Sequence, residues 1–157
     1  LVMLTFAMMA AIRHRANKER SMAQTLTLLS HTLAAAETAT VPDGAMSFAL
    51  GRVETLSIQF KFVRAAGGTA CKAWVQTTLD GGVTWFDILN LAAATTTLTR
   101  IATLSAGSVT TLATPTDGAL GDNTAVDGFL GGLFRVKLTT TGTYSGASSL
   151  TITAMAS

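Results

Sequence analysis

The chain carries little charge. Asp, Glu, Lys and Arg make up 13% of its 157 residues, about half the share that is usual in soluble domains. Such a chain is either a monomer with a bland, threonine-coated exterior or a subunit whose surface is covered by other subunits. We favour the second interpretation, because threonine suits half-covered sheet surfaces.

Cysteine is nearly absent. Cys71 stands alone, so an internal disulfide is impossible, which fits assembly in a reducing cytoplasm. Cys71 alternates with Ala73 and Val75 on one side of a predicted strand, and we expect it to be a small core residue. A catalytic cysteine needs a neighbouring histidine, and His14 and His31 both lie outside the clear strand pattern.

The net charge of +2 arises near the N-terminus. Residues 1–21 hold four Lys or Arg against one Glu, a balance of +3, so the remainder of the chain carries −1. Five later basic residues lie on different predicted strands, which indicates solvated faces and not the basic stripe of a nucleic-acid-binding domain. They are Lys61, Arg64, Lys72, Arg135 and Lys137.

The N-terminal segment is apolar over residues 1–12 and polar over residues 13–20. As a helix the apolar part is about 18 Å long, too short for the roughly 30 Å membrane core, and its charges follow it, unlike those of a signal peptide. In one interpretation residues 1–21 form an arm, helical in its apolar part, that docks on a partner. In the other they lie upstream of a native start at Met22, since Lys18-Glu19 can be encoded as a ribosome-binding sequence.

The rest of the chain, residues 22–157, reads as a single β domain. Apolar and polar residues alternate over Leu56–Phe62, Leu133–Thr139 and Ser149–Ala154, which is typical of strands with one buried face. Seven or eight such strands predict an all-β fold, an antiparallel β-sandwich of jelly-roll-like or Ig-like type.

A tight turn links two of these strands. Thr78, Asp80, Gly82, Thr84 and Trp85 match the pattern Ser/Thr-x-Asp-x-Gly-x-Thr-Trp, which resembles the Asp-box hairpin of sialidases and many other β proteins. The resemblance implies that the Asp binds turn amides and the Trp packs under the hairpin, an architectural role. A sialidase propeller needs several blades, and a second copy of the motif is absent from the sequence.

A glycine-rich stretch, residues 115–132, reads as a long loop. Asp117, Asp122 and Asp127 recur in it every five residues, which suggests a calcium site, but calcium loops use alternate residues as ligands. We therefore expect a surface loop that is mobile or draped over a partner, and we expect no metal site.

The order of these segments resembles that of small virion structural proteins of tailed bacteriophages, whose genes lie in the head and neck region. The segments that carry the resemblance are Met22–Leu29, Leu56–Phe60, Trp74–Ile88, Gly131–Leu138 and Ser149–Thr153. The resemblance implies a β-sandwich subunit of the virion, assembled in the host cytoplasm. It does not separate a capsid cement (decoration) protein, which we favour, from a head–tail neck, connector or tail component.

For a cement protein the implied partners are the major capsid protein and copies of the chain itself. We expect no catalytic residue, cofactor, small-molecule substrate, specific nucleic acid or membrane partner. A carbohydrate- or receptor-binding β module is the alternative of another class, and its cue is the pair Trp74 and Trp85. We expect both tryptophans in the core, with Trp74 as the stacking residue if one is exposed.

Overall fold

The computed structural model describes residues 23–48, 52–107, 112 and 114–157. The N-terminal arm and most of a strand predicted at residues 108–112 lie outside the described residues. Within them the regular structure is all β. The strands are β1 (Gln24–Thr32), β2 (Glu37–Thr40), β3 (Ala45–Ser47), β4 (Thr55–Val63), β5 (Ala66–Gly67), β6 (Ala70–Thr78), β7 (Phe86–Ala93), β8 (Leu98–Ser105), β9 (Leu133–Thr141), β10 (Tyr144–Ser145) and β11 (Ser149–Ala156).

These strands form two main sheets in which every pair is antiparallel. The first sheet has the order β1-β11-β4-β8. In the second sheet β9 pairs with β6, and β6 pairs with β7, while β2 and β3 lie one after the other along the other edge of β9. A short ribbon of β5 and β10 stands apart from both. The two sheets pack face to face, which confirms the predicted antiparallel β-sandwich.

The strand order distinguishes the two predicted types of sandwich. When the short ribbon of β5 and β10 is left out and β2 and β3 are counted as one interrupted strand, the first strand pairs with the last (β1 with β11). The second then pairs with the second-last (β2/β3 with β9). Further inward, β4 pairs with β8 and β6 with β7. A long antiparallel ribbon rolled up in this way is a jelly roll, whereas an Ig-like sandwich has a different order.

Strand alternation builds one core between the sheets. From the first sheet, Ile58, Phe60 and Phe62 of β4 are fully buried, while from the second Phe134 and Leu138 of β9 face them. The intervening residues of β4 and β9 point outward, so each sheet also has an outer face. No helix in the described part of the chain is long and apolar enough to cross a membrane.

Candidate functional site

The predicted hairpin joins β6 to β7, and Asp80 organises its turn. The Asp80 carboxylate accepts hydrogen bonds from the backbone N–H groups of Val83 (3.1 Å) and Thr84 (2.8 Å) and from the Thr78 hydroxyl (2.7 Å). The Thr78 Oγ1 in turn accepts the N–H of Gly82 at 3.0 Å. Each of these bonds lies within the turn, so the motif fixes the backbone geometry of the hairpin.

The electrostatics of Asp80 follow from the same bonds. The N–H of Thr84, followed by the hydroxyl of Thr78, holds the pKa of the Asp80 carboxyl well below its usual range. The charged form is therefore the one that the turn stabilises. Gly81 and Gly82 follow with φ angles of 74° and 101°, a conformation that glycine adopts without steric strain.

The two tryptophans have different environments, and the expectation that both are core residues is wrong for one of them. Trp74 is buried, and its Nε1 donates to the carbonyl oxygen of Leu120 at 3.0 Å. Trp85 is only half-buried. Its Nε1 donates to the Gly82 carbonyl oxygen at 2.9 Å, and the guanidinium of Arg135 lies 4.3 Å from its ring centre. Trp74 therefore cannot offer a stacking face, contrary to the sequence-based alternative.

Residues 114–128, here called the strap, lie against the second sheet. The Asp87 backbone donates to the Thr116 carbonyl oxygen (2.8 Å), the Asn90 backbone donates to that of Thr124 (2.9 Å), and the Val126 backbone donates to that of Ile88 (2.8 Å). The strap thus follows the edge of β7. The glycine-rich loop predicted to be mobile or draped over a partner is instead hydrogen-bonded to its own domain over this stretch.

Asp87 anchors the strap, a role that sequence analysis missed. This carboxylate is buried, and it accepts the backbone N–H groups of Gly118, Ala119 and Leu120 at 2.8–3.1 Å. It also accepts the hydroxyl of Thr116 at 2.7 Å. The Gln76 side-chain amide donates to it as well, at 2.7 Å. Five donors around one buried carboxylate explain why the group is tolerated there. The only sequence signal was an acidic residue within a mostly apolar strand.

The strap also pairs the charges on the outer face of the second sheet. Asp117 binds Lys137 at 2.5 Å and Arg135 at 3.4 Å, while Asp122 binds Lys72 at 2.8 Å. Partial desolvation raises the pKa of Asp117, but the hydrogen bonds from its partners outweigh it and leave that pKa below its ordinary value. Three of the basic residues predicted to lie apart therefore share this face, where they pair with Asp117 and Asp122.

The three aspartates of the strap do not meet at an ion site. Asp127 accepts the backbone N–H groups of Ser105 and Gly128, and so has partners different from those of Asp117 and Asp122. Among the described residues, no group of three or more His, Cys, Asp or Glu side chains is placed to hold a metal ion.

The outer face of the first sheet has a different chemistry. Its side chains are exposed or half-buried, and they are mostly uncharged hydroxyl and amide groups. They are Thr25, Thr27, Ser30 and Thr32 of β1, Ser149, Thr151, Thr153 and Met155 of β11, Ser57, Gln59, Lys61 and Val63 of β4, and Thr99, Ile101 and Thr103 of β8. Lys61 is the one charged residue among them. We call this surface the neutral face.

The neutral face also carries exposed apolar side chains. Ile101 is 72% exposed and Met155 is 48% exposed. They border a shallow depression of about 220 Å³ that Gln59 and Thr153 also line. Four strands of about eight residues span roughly 500 Å² in projection, the same order as the ~800 Å² that each partner buries in a standard interface.

A second hollow of about 220 Å³ lies between the hairpin and the strap. Leu79, Phe86, Leu120 and Phe129 give it a mainly apolar lining. Phe86 and Phe129 meet edge to face at 5.8 Å. This chemistry suits an apolar side chain better than a sugar, which needs an open aromatic face with polar groups around it.

Cys71 lies in the core, as predicted, and is fully buried. Burial, followed by the negative charge of Glu37, raises the pKa of the Cys71 thiol to about 12. The nucleophilic thiolate is therefore scarce near neutral pH. Glu37 binds His31 at 2.7 Å, so this histidine is held in a separate pair.

No protein-family model matches the chain, and no curated protein matches it.

Proposed function

We propose that the chain is a non-enzymatic structural subunit of a tailed-bacteriophage virion, a capsid cement protein that packs its neutral face on the major capsid protein. The observation that carries the proposal is the contrast between the two broad faces of the sandwich. The strap covers one face and pairs its charges within the domain. No described residue covers the other face, and Lys61 is the one charged side chain that the described strands place on it.

The neutral face suits a protein partner for a physical reason. Burying an unpaired charge is expensive, and interface centres are accordingly depleted of charged residues. Hydroxyl groups can exchange water for hydrogen bonds to a partner, while Ile101 and Met155 lose apolar surface to it. Many symmetric copies on one shell make even a weak single contact effective.

The fold and the sequence support the same class of function. Jelly rolls include viral capsid domains, although they also include lectins and cupins, so this support is by analogy of fold. The resemblance of the hairpin and the strand order to phage head-region proteins adds to it. A neck, connector or tail component would use the same kind of neutral face, and copy number in the particle separates it from a cement protein.

The carbohydrate- or receptor-binding alternative has less support. Trp74 is buried and hydrogen-bonded to Leu120, and one face of Trp85 lies against Arg135. The remaining cue is the half-buried Trp85 beside an apolar hollow. Glycan-array binding that Trp85→Ala abolishes, together with absence of the chain from particles, would favour this class.

A charge placed in the neutral face tests the proposal. Thr153 lies beside Gln59 at its centre, and we expect Thr153→Glu to weaken binding to shells of the cognate major capsid protein at least about tenfold, because the carboxylate must be desolvated. Thr153→Ser and the exposed second-sheet variant Thr38→Glu are the controls and should bind like the wild type. Equal binding of Thr153→Glu and Thr38→Glu would contradict the proposed face.

A further inference from the structure

The outer edge of β8 differs from the other sheet edges. The strap follows the edge of β7, and the edge formed by β2 and β3 is interrupted. β1 has a bulge between Thr27 and Leu29, and the Asp43 carboxylate accepts the N–H of Ser30 on its outer side. β8 pairs with β4 in unbroken register, and no described strand pairs with its other edge. Bulges and capping groups are the usual protection of edge strands. β8 has no bulge, and no described residue caps its middle.

The direction of the unpaired backbone N–H and C=O groups of β8 can be derived from its last residue, Ser105. Thr55 exchanges both backbone hydrogen bonds with Ser157, on the side of β11. Ser105 of β8 faces Thr55 across the strand pair, so its backbone N–H and C=O groups point away from β4. In agreement, the Ser105 N–H donates to the Asp127 carboxylate and its carbonyl accepts the N–H of Gly128, both on the outer edge.

Alternation then fixes the open positions. Backbone direction alternates along a strand, so the N–H and C=O groups of every second residue before Ser105 also point to the outer edge. These residues are Thr103, Ile101 and Thr99. β8 begins at Leu98, so Thr99 is the first residue of the strand with outward backbone groups. The open edge is thus a run of three outward residues centred on Ile101.

We propose that a second copy of this chain occupies this edge, with its β8 antiparallel to the first and the two Ile101 residues facing each other on a two-fold axis. The edge is complementary to itself, because an antiparallel pair of identical strands places each outward N–H opposite an outward C=O. In this register Thr99 of each copy faces Thr103 of the other. All three open positions are used.

Side chains favour the same register. Ile101 is 72% exposed, and a cross-strand pair of β-branched residues stabilises a sheet, as do threonine pairs. Arg100 falls opposite Ala102 of the second copy, so like charges do not face each other. The result is one eight-stranded sheet that joins two neutral faces. This pairing does not depend on the proposed virion role.

The mass in solution tests whether the pairing exists. Sedimentation equilibrium of the full chain should show a concentration-dependent shift from the monomer mass to twice that mass. Ile101→Pro removes only an outward N–H, at an edge where proline is tolerated, and Ile101→Lys places two cations on the axis. Each should raise the dimer dissociation constant at least about tenfold, because edge pairing depends on these groups.

Met155→Lys is the control, since Met155 lies on the neutral face but on the interior strand β11. It should leave the dimer intact. A wild-type chain that stays monomeric at millimolar concentration, or a dimer that Met155→Lys breaks while Ile101→Lys does not, overturns the proposal. The second result would indicate face-to-face packing of two neutral faces.

Disulfide cross-linking tests the register and needs no destabilised variant. Facing residues on the axis have Cα atoms about 5.5 Å apart, within disulfide range, so Ile101→Cys should form a covalent dimer on mild oxidation. Thr99→Cys alone should not, because its copies lie four residues apart, about 13 Å. An equal mixture of Thr99→Cys and Thr103→Cys should cross-link again.

The native thiol does not interfere, because Cys71 is fully buried. Equal cross-linking of Thr99→Cys and Ile101→Cys, or none with Ile101→Cys, contradicts this register. If instead the arm of residues 1–21 occupied the edge, deleting it would abolish the dimer, and that result would also contradict the proposal.

Discussion

Asp80 is an exposed carboxylate, and it stabilises the fold through the hydrogen bonds of the turn around it. Three donors within four residues hold it in the charged form. Because the pKa of Asp80 is lower in the folded chain than in the unfolded one, its contribution to stability is complete at neutral pH. That contribution is lost as the pH falls from the ordinary value of about 3.9 toward the lowered one.

This pH dependence of the stabilisation gives a prediction for Asp80→Ala. The variant should melt at a lower temperature than the wild type at pH 7. This difference in melting temperature, the gap, should stay constant down to about pH 5 and narrow below about pH 4. Asp80→Asn keeps one acceptor oxygen and should fall between the two at neutral pH. Circular dichroism melts across this range measure the gap. A gap independent of pH down to 2 would show that the carboxylate charge does not stabilise the turn.

The two tryptophans allow a matched comparison at the same scale. Trp74→Ala removes a buried ring and leaves the Leu120 carbonyl without its donor, so we expect a loss of about 3–5 kcal/mol. Trp85→Ala removes a half-buried ring, and we expect roughly half of that loss. Denaturant unfolding measures both. A larger loss for Trp85→Ala would mean that the hairpin, and not the covered sheet face, dominates stability.

At the scale of elements, the strap depends on one buried carboxylate. We expect Asp87→Ala to lower the free energy of unfolding by about 2–4 kcal/mol, because it leaves buried donors without an acceptor. Amide hydrogen exchange at Gly118, Ala119 and Leu120 should become faster, while exchange in β4 changes much less. Asp122→Asn, which alters an exposed pair with Lys72, is the control. Unchanged exchange in the strap of Asp87→Ala would show that other contacts hold it.

The strands were largely predictable and the strap was not. Alternation identified β4, β9 and β11, and the turn residues located the hairpin between β6 and β7, because these signals are local. The sequence also indicated a loop at residues 115–132. Its attachment to Asp87 could not be inferred, since that contact joins residues about thirty positions apart and depends on which face of β7 the strap covers.

On the scale of the whole molecule, the jelly-roll topology determines which sheet faces the described chain leaves uncovered. β1 and β11 come from opposite ends of the described chain, and their pairing completes the sheet that carries the neutral face. Low charge predicted a covered surface but not its position. The fold shows that the strap covers the second sheet, while nothing in the described residues covers the outer face of the first.

The central claim, that this chain is a capsid cement protein, is tested most directly by counting it in purified particles produced by the genome that encodes it. Quantitative mass spectrometry against the major capsid protein gives the number of copies per particle. A cement role predicts hundreds of copies on the capsid, in proportion to the shell's symmetric sites. About six or twelve copies at the tail junction, as a ring would give, or absence from the particle would contradict it.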